Sequence, residues 1–151
     1  MKKGARAMGL IFAFLIIAVL GLMAFVRLAP VHAAQWHVAQ TDTDWAKTPW
    51  DAVVPETGAA RLRLSAARGA PGDLLARLDR VALATPRTQR LAGSVAEGRV
   101  TYITRSALWG FPDYTTAEAR EDGLYLHARL RFGRADMGVN AKRLQDWQAA
   151  L

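Results

Sequence analysis

The 151-residue chain contains no cysteine and only three histidines. Without cysteine there is no disulfide framework, no thiolate metal site and no thiol nucleophile. Two of the histidines, His32 and His37, lie far in sequence from the third, His127, so a three-histidine metal site is not expected. Acidic residues are few, 13 against 20 lysines and arginines. The spacing of Glu97, Asp113, Glu118 and Asp136 pairs none of them for acid–base work. There is no Gly-x-Ser-x-Gly elbow, no phosphate-binding glycine loop and no dinucleotide fingerprint. These absences remove the sequence grounds for asserting an enzyme, and no metal or cofactor is expected.

Charge is also missing from residues 7–26, which are bracketed by Arg6 and Arg27. As a helix, residues 8–26 span about 28 Å, close to the roughly 30 Å of bilayer hydrocarbon. Twelve of the residues from 10 to 26 are Leu, Ile, Val or Phe, and their insertion gains about 5 kcal/mol. Lys2, Lys3 and Arg6 precede the run, and only Arg27 closely follows it. The positive-inside rule therefore keeps the N-terminus in the cytoplasm and sends residues 28–151 across the cytoplasmic membrane, to an extracytoplasmic location. A cleaved secretory signal is the rival reading, with Val31-His32-Ala33 as the cutting site. The apolar run exceeds the 7–15 residues of a signal core, which favours an uncleaved single-pass anchor.

Setting aside Lys2, Lys3, Arg6 and Arg27 reduces the formal charge from +7 to +3, with 16 basic and 13 acidic residues remaining. That is too little for a nucleic-acid footprint, and no nucleic-acid partner is expected. The remaining expectation is a basic tail (1–6), a transmembrane anchor (7–27), an irregular tether (28–56) and one domain (57–151). The tether holds Trp36, Trp45 and Trp50, which suit either the membrane interface or packing onto the domain.

Residues 61–65 alternate as a half-buried strand. Residues 71–84 read as a helix, with Pro71 at the first position, Asp73 in the first turn and an apolar stripe of Leu74, Leu75, Leu78, Val81 and Ala82. Strands follow over 99–106, 114–120 and 124–132, with a further short one over 91–95. Glu121-Asp122-Gly123 gives a hairpin signal. In the last strand Leu124, Leu126, Ala128, Leu130 and Phe132 point one way, and Tyr125, His127, Arg129 and Arg131 the other. A final helix spans 140–150. The pattern predicts a two-layer α+β domain: an antiparallel sheet with both helices on its apolar face. The other face then carries Arg61, Arg63, Tyr125, His127, Arg129 and Arg131, polar and open to water.

The densest polar cluster is the run from Arg129 to Asn140. Two arginines leave a strand, a glycine-flexed loop follows, and a helix begins. Guanidinium groups beside a helix N-terminus suit a phosphate, a carboxylate or a lipid headgroup. The plainer alternative makes Asp136 a helix cap and the arginines a solvated face. If the arginines bind from an open face, replacing Arg129 and Arg131 by alanine abolishes binding and leaves the fold intact.

Thr85-Pro86-Arg87-Thr88, Leu91-Ala92-Gly93-Ser94, Val100-Thr101-Tyr102, Arg105-Ser106, Gly110-Phe111-Pro112-Asp113-Tyr114 and the run 129–140 together resemble the bacterial domain of unknown function 1499 (DUF1499) family. The resemblance covers residues 74–151 with its motifs in matching order. It implies family-characteristic polar positions at Arg105, Asp113, Arg129, Arg131, Asp136, Asn140 and Arg143, and it implies no known activity. The chain departs from the family pattern at Ala128, Leu130 and Ala135, where serines are frequent, which argues against a catalytic serine in this loop.

Three functions follow as expectations. The first is a non-catalytic, membrane-anchored extracytoplasmic domain binding an anionic small molecule, a lipid headgroup or an envelope protein. The second is a small envelope enzyme on an anionic substrate, with Arg105 and Arg131 orienting it and Asp113 or Asp136 as acid or base. The third is a structural subunit of a membrane complex.

Overall fold

A computed structural model describes residues 2–151. Helix α1 (Lys2–Leu28) carries the apolar run, and the segment Arg6–Leu28 is long and apolar enough to cross a membrane. From Arg6 onward its side chains are exposed until the last turns, where Val26 becomes buried. A one-turn helix α2 (Ala33–Trp36) and a 3-10 turn (Thr43–Lys47) follow.

Six strands form one antiparallel sheet in the order β1-β2-β6-β5-β4-β3: β1 (Val53–Glu56), β2 (Ala59–Ser65), β3 (Thr88–Ser94), β4 (Arg99–Arg105), β5 (Pro112–Arg120) and β6 (Gly123–Leu130). Helices α3 (Pro71–Ala84) and α4 (Val139–Ala149) lie on one face, α3 over β3, β5 and β6 and α4 over β1, β2 and β6. The core between the layers holds Leu62, Leu64, Leu124 and Leu126 from the sheet, Leu74, Leu75 and Leu78 from α3, and Leu144 and Trp147 from α4. Tyr102 enters this core edge-on to Trp147 at 5.7 Å. Its hydroxyl donates to Asp79 on α3 at 2.9 Å, and Arg90 closes the cluster onto the same carboxylate at 2.6 Å. A buried phenol thus has its partner, and the partner has a counter-charge.

The α+β class, the antiparallel sheet and the placement of both helices agree with the sequence reading. Several boundaries differ. β1 falls within the segment expected to be an irregular tether, and β3 begins at Thr88 rather than 91. Strand β6 stops at Leu130, so Phe132 leaves the sheet. It sits against Phe25 and Phe111, at ring distances of 6.2 Å to each, instead of joining the core. The β5–β6 turn is centred on Glu121 and Asp122, with Gly123 already paired to Arg120. Gly123 is required for a different reason than the hairpin signal suggested. A Cβ there would run into the Leu64 carbonyl and stand 2.8 Å from the Trp50 ring.

The largest departure concerns the second face of the sheet. It is not open to water. Residues 30–50 lie across it as a strap. Trp36 stacks on Tyr114 at 4.0 Å, Trp45 meets Tyr125 edge-on at 5.0 Å, and Trp50 meets Tyr125 at 5.8 Å. Gln40 N–H donates to Glu118 at 2.6 Å, and His37 Nδ1 lies 3.0 Å from the Thr101 hydroxyl. The tryptophans therefore pack onto the domain. The sheet is sandwiched between a helical layer and a polar strap, and the polar residues of its second face are interior groups.

Candidate functional site

The seven residues marked by the sequence divide between the two faces of the sheet. Asp113, Asp136, Asn140 and Arg143 gather on the helix side. Asp113 stands near the start of β5, and Arg143 Nη2 on α4 donates to its Oδ2 at 3.0 Å. Arg143 Nη1 donates to Asn140 Oδ1 at 2.6 Å. Asp136 caps α4 from just before it, accepting from Asn140 N–H at 2.8 Å and Gly138 N–H at 3.2 Å. This is the capping role weighed for it in the sequence. Burial pushes the Asp113 carboxyl above its ordinary range; Arg143 opposes that, and Asp136 adds to it. A cleft of about 260 Å³ lies beside Asp113 and Asp136, walled by Phe111, Leu130, Phe132 and Met137.

Arg129 and Arg131 are on the strap side. Arg129 Nη2 donates to the Trp36 carbonyl at 2.9 Å and to the Thr116 hydroxyl at 3.0 Å, with its guanidinium 5.3 Å from the Trp36 ring. Thr116 also donates to the Trp36 carbonyl, at 2.7 Å. Arg131 follows β6 and donates to the Pro30 carbonyl at 2.7 Å and to the Tyr114 hydroxyl at 3.3 Å. The expected open arginine face is thus occupied by the chain's own strap. Arg61 and Arg63 are covered in the same way. Arg61 pairs with Asp42 at 2.6 Å and Glu56 at 2.7 Å. Arg63 bonds the Thr48 carbonyl under the Trp50 ring.

Arg105 belongs to neither group. It ends β4 on the strap side and donates to the Gly110 carbonyl at 3.0 Å. Its neighbours in space are Arg27 and Arg87, and the three line a second cleft of about 260 Å³. Arg27 lies in the last turn of α1 and donates to the Leu108 carbonyl at 3.1 Å. It passes over Gly110, where φ is +77° and a Cβ would stand 2.8 Å from Arg27 Nε. Only glycine meets both conditions. Arg87 has φ 59°, uncommon for a residue with a side chain, and donates to the Arg105 carbonyl at 3.1 Å. Sequence reasoning treated Arg27 as a helix flank and passed over Arg87, although Arg87 sits within the Thr-Pro-Arg-Thr motif.

A wider hollow than either cleft, about 620 Å³, is a shallow groove between α3 and α4. Of the seven marked residues only Arg143 lines it, and the rest of the candidate chemistry lies elsewhere.

Fold and site define a strapped, single-sheet α+β domain behind a helix apolar enough to cross a membrane. The chain belongs to the family described as protein of unknown function (DUF1499), whose profile matches residues 31–151. That match begins at the strap, in agreement with the strap being part of the domain. No curated protein and no solved structure matches the chain.

Proposed function

We propose that this protein is a single-pass protein of the bacterial cytoplasmic membrane, with its N-terminus in the cytoplasm and its domain in the periplasm, and that it binds an anionic ligand without catalysing a reaction. The observation that carries this reading is the seating of α1. Its last turn packs against the end of the sheet where β4 ends and β5 begins, through Phe25 on Phe132 and Arg27 on Leu108. That same end gathers Arg27, Arg87, Arg105, Arg131 and Arg134. The carboxylates there are already engaged, Asp113 by Arg143, Asp136 by backbone amides and Glu56 by Arg61. The opposite end carries Glu97 in the β3–β4 turn and Glu121 and Asp122 in the β5–β6 turn, while its Arg99 and Arg120 are paired with Glu118. A domain with this polarity turns its basic end toward an anionic leaflet.

The enzyme reading has one observation in its favour, the raised carboxyl of Asp113 beside a cleft. Against it, Arg105 and Arg131, the groups expected to orient a substrate, lie on the strap side. The binding reading needs no such constellation.

The lack of cysteine makes the topology directly measurable. Single-cysteine variants Gly4→Cys and Glu97→Cys are labelled in intact spheroplasts with a membrane-impermeant maleimide. Labelling of Glu97→Cys, with Gly4→Cys labelled only after lysis, is expected. The reverse pattern overturns the orientation.

A further inference from the structure

Three arginines from three separate elements converge where α1 meets the sheet. Arg27 comes from α1, Arg87 from the α3–β3 turn and Arg105 from the end of β4, and Gln89, Ile103 and Gly110 complete the wall between them. Among the described residues none of the three has a carboxylate within 4.0 Å. This sets them apart from Arg61, Arg90, Arg99 and Arg143, each paired to an acid at 2.6–3.0 Å. Each of the three donates instead to a main-chain carbonyl. Those bonds orient the guanidinium groups and leave most of their five N–H donors free. Three like charges held around one small cleft repel one another, and an entering anion relieves that repulsion. The planar fork of arginine matches phosphate oxygens in pairs.

Size and position narrow the ligand. A site that encloses a whole small molecule measures about 300–1,000 Å³. This cleft, at about 260 Å³, suits a charged headgroup whose remainder lies outside. The adjoining loop exposes Leu108 at 67% and Trp109 at 37%. Arg27 belongs to the final turn of the apolar helix, so in a membrane the cleft stands at headgroup height. Apolar and aromatic side chains beside it then meet the acyl boundary.

We infer that the cleft formed by Arg27, Arg87 and Arg105 holds the phosphate diester of an anionic membrane lipid. The assignment rests on the anchored reading above, because the anchor both supplies Arg27 and holds the cleft at headgroup height. It gives α1 a second role: the helix supplies one of the ligand's three cations.

The test is native mass spectrometry of the full-length protein released from nanodiscs of phosphatidylglycerol and phosphatidylcholine in equal parts. Retention of one phosphatidylglycerol in preference to phosphatidylcholine is expected. Arg87→Gln with Arg105→Gln is expected to lower that occupancy at least tenfold, at about fivefold per arginine near an anionic surface. Arg134→Gln, a charge loss at the same end but outside the cleft, is expected to leave it unchanged. Ala107→Glu puts a carboxylate into the cleft from an exposed position and is expected to give the same loss, should the double variant fail to fold. Equal phosphatidylglycerol retention by wild type and a folded cleft variant overturns the site. Binding of inorganic phosphate at millimolar concentration without any preference for phosphatidylglycerol overturns the lipid source and assigns a soluble phosphate compound. Loss of lipid selectivity while Glu97→Cys still labels from outside overturns this assignment alone; reversed labelling overturns the anchored orientation on which it rests.

Discussion

His127 lies at mid-sheet opposite Arg61, with Glu56 Oε2 3.6 Å from its Nε2 and the edge of Trp45 above it. Burial first, then the Arg129 and Arg61 guanidinium groups, push its imidazole down to about 3, with Asp42 opposing. It is therefore neutral in the folded protein at pH 7. The folded value lies below the ordinary 6.5, so the unfolded chain binds the extra proton between 6.5 and 3. Stability is present in full above pH 6.5 and is lost as pH falls through that window. Between pH 7 and pH 4 the loss from this residue is roughly 3 kcal/mol. Thermal unfolding in mild detergent at the two pH values measures it, and His127→Gln is expected to flatten the difference. Asp113 and Arg143 form a buried ion pair, with side-chain exposures of 14% and 10%. Asp113→Asn leaves Arg143 buried without its counter-charge and is expected to cost about 3–5 kcal/mol. Adding Arg143→Met is expected to restore much of that loss, read from unfolding midpoints of the single and double variants.

The strap is the element on which the second face of the sheet depends. It offers backbone carbonyls at Trp36 and Thr48 to Arg129 and Arg63, the Asp42 carboxylate to Arg61, and rings at positions 36, 45 and 50 that cover Tyr114 and Tyr125. Trp36 contributes both its ring, against Tyr114, and its carbonyl, to Arg129 and Thr116. Trp36→Ala keeps the carbonyl and removes the ring. It is expected to lower stability by about 2 kcal/mol, from lost aromatic contact and buried area. It is also expected to open residues 37–50 to proteolysis well before the sheet itself is cut. Limited digestion followed by intact-mass analysis reads this. Arg129→Ala belongs to the same experiment: the alanine variant is expected to lose strap protection, because the arginine ties strap to sheet and does not face solvent.

At the scale of the whole molecule the sheet has a basic end and an acidic end, and α1 leaves from the basic one. The strap from its second residue, the sheet and both covering helices are contained in residues 31–151, the region the family profile matches. This region without α1 is expected to associate with phosphatidylglycerol vesicles at low salt. At 0.5 M salt, where charges further apart than a few ångströms are screened, it is expected to release. Co-sedimentation across a salt series checks this. Persistent binding at high salt would mean that exposed Leu108, Trp109 and Met137, not the arginines, hold the domain to the bilayer.

The apolar run of α1, the stripe of α3 and the strict alternation of β6 are one-dimensional signals, and each was legible because the period of the residues is the period of the element. From these alone follow the α+β class, the antiparallel sheet and the side on which the helices pack. The seven polar positions came from the family resemblance, and only as a set along the chain. Tertiary structure divided them, because successive strand residues face opposite ways and Asp113 and Arg129 fall on different sides. It also closed the arginine face. The strap has no hydrophobic period, and its partners are remote: Trp36 and Arg129 are 93 residues apart. Contacts between segments so separated follow from how the completed sheet presents its surface, which no local pattern encodes. The convergence of Arg27, Arg87 and Arg105 is of the same kind. Each is unremarkable in its own segment, and the three become one cleft only when the last turn of α1 seats on the end of β4.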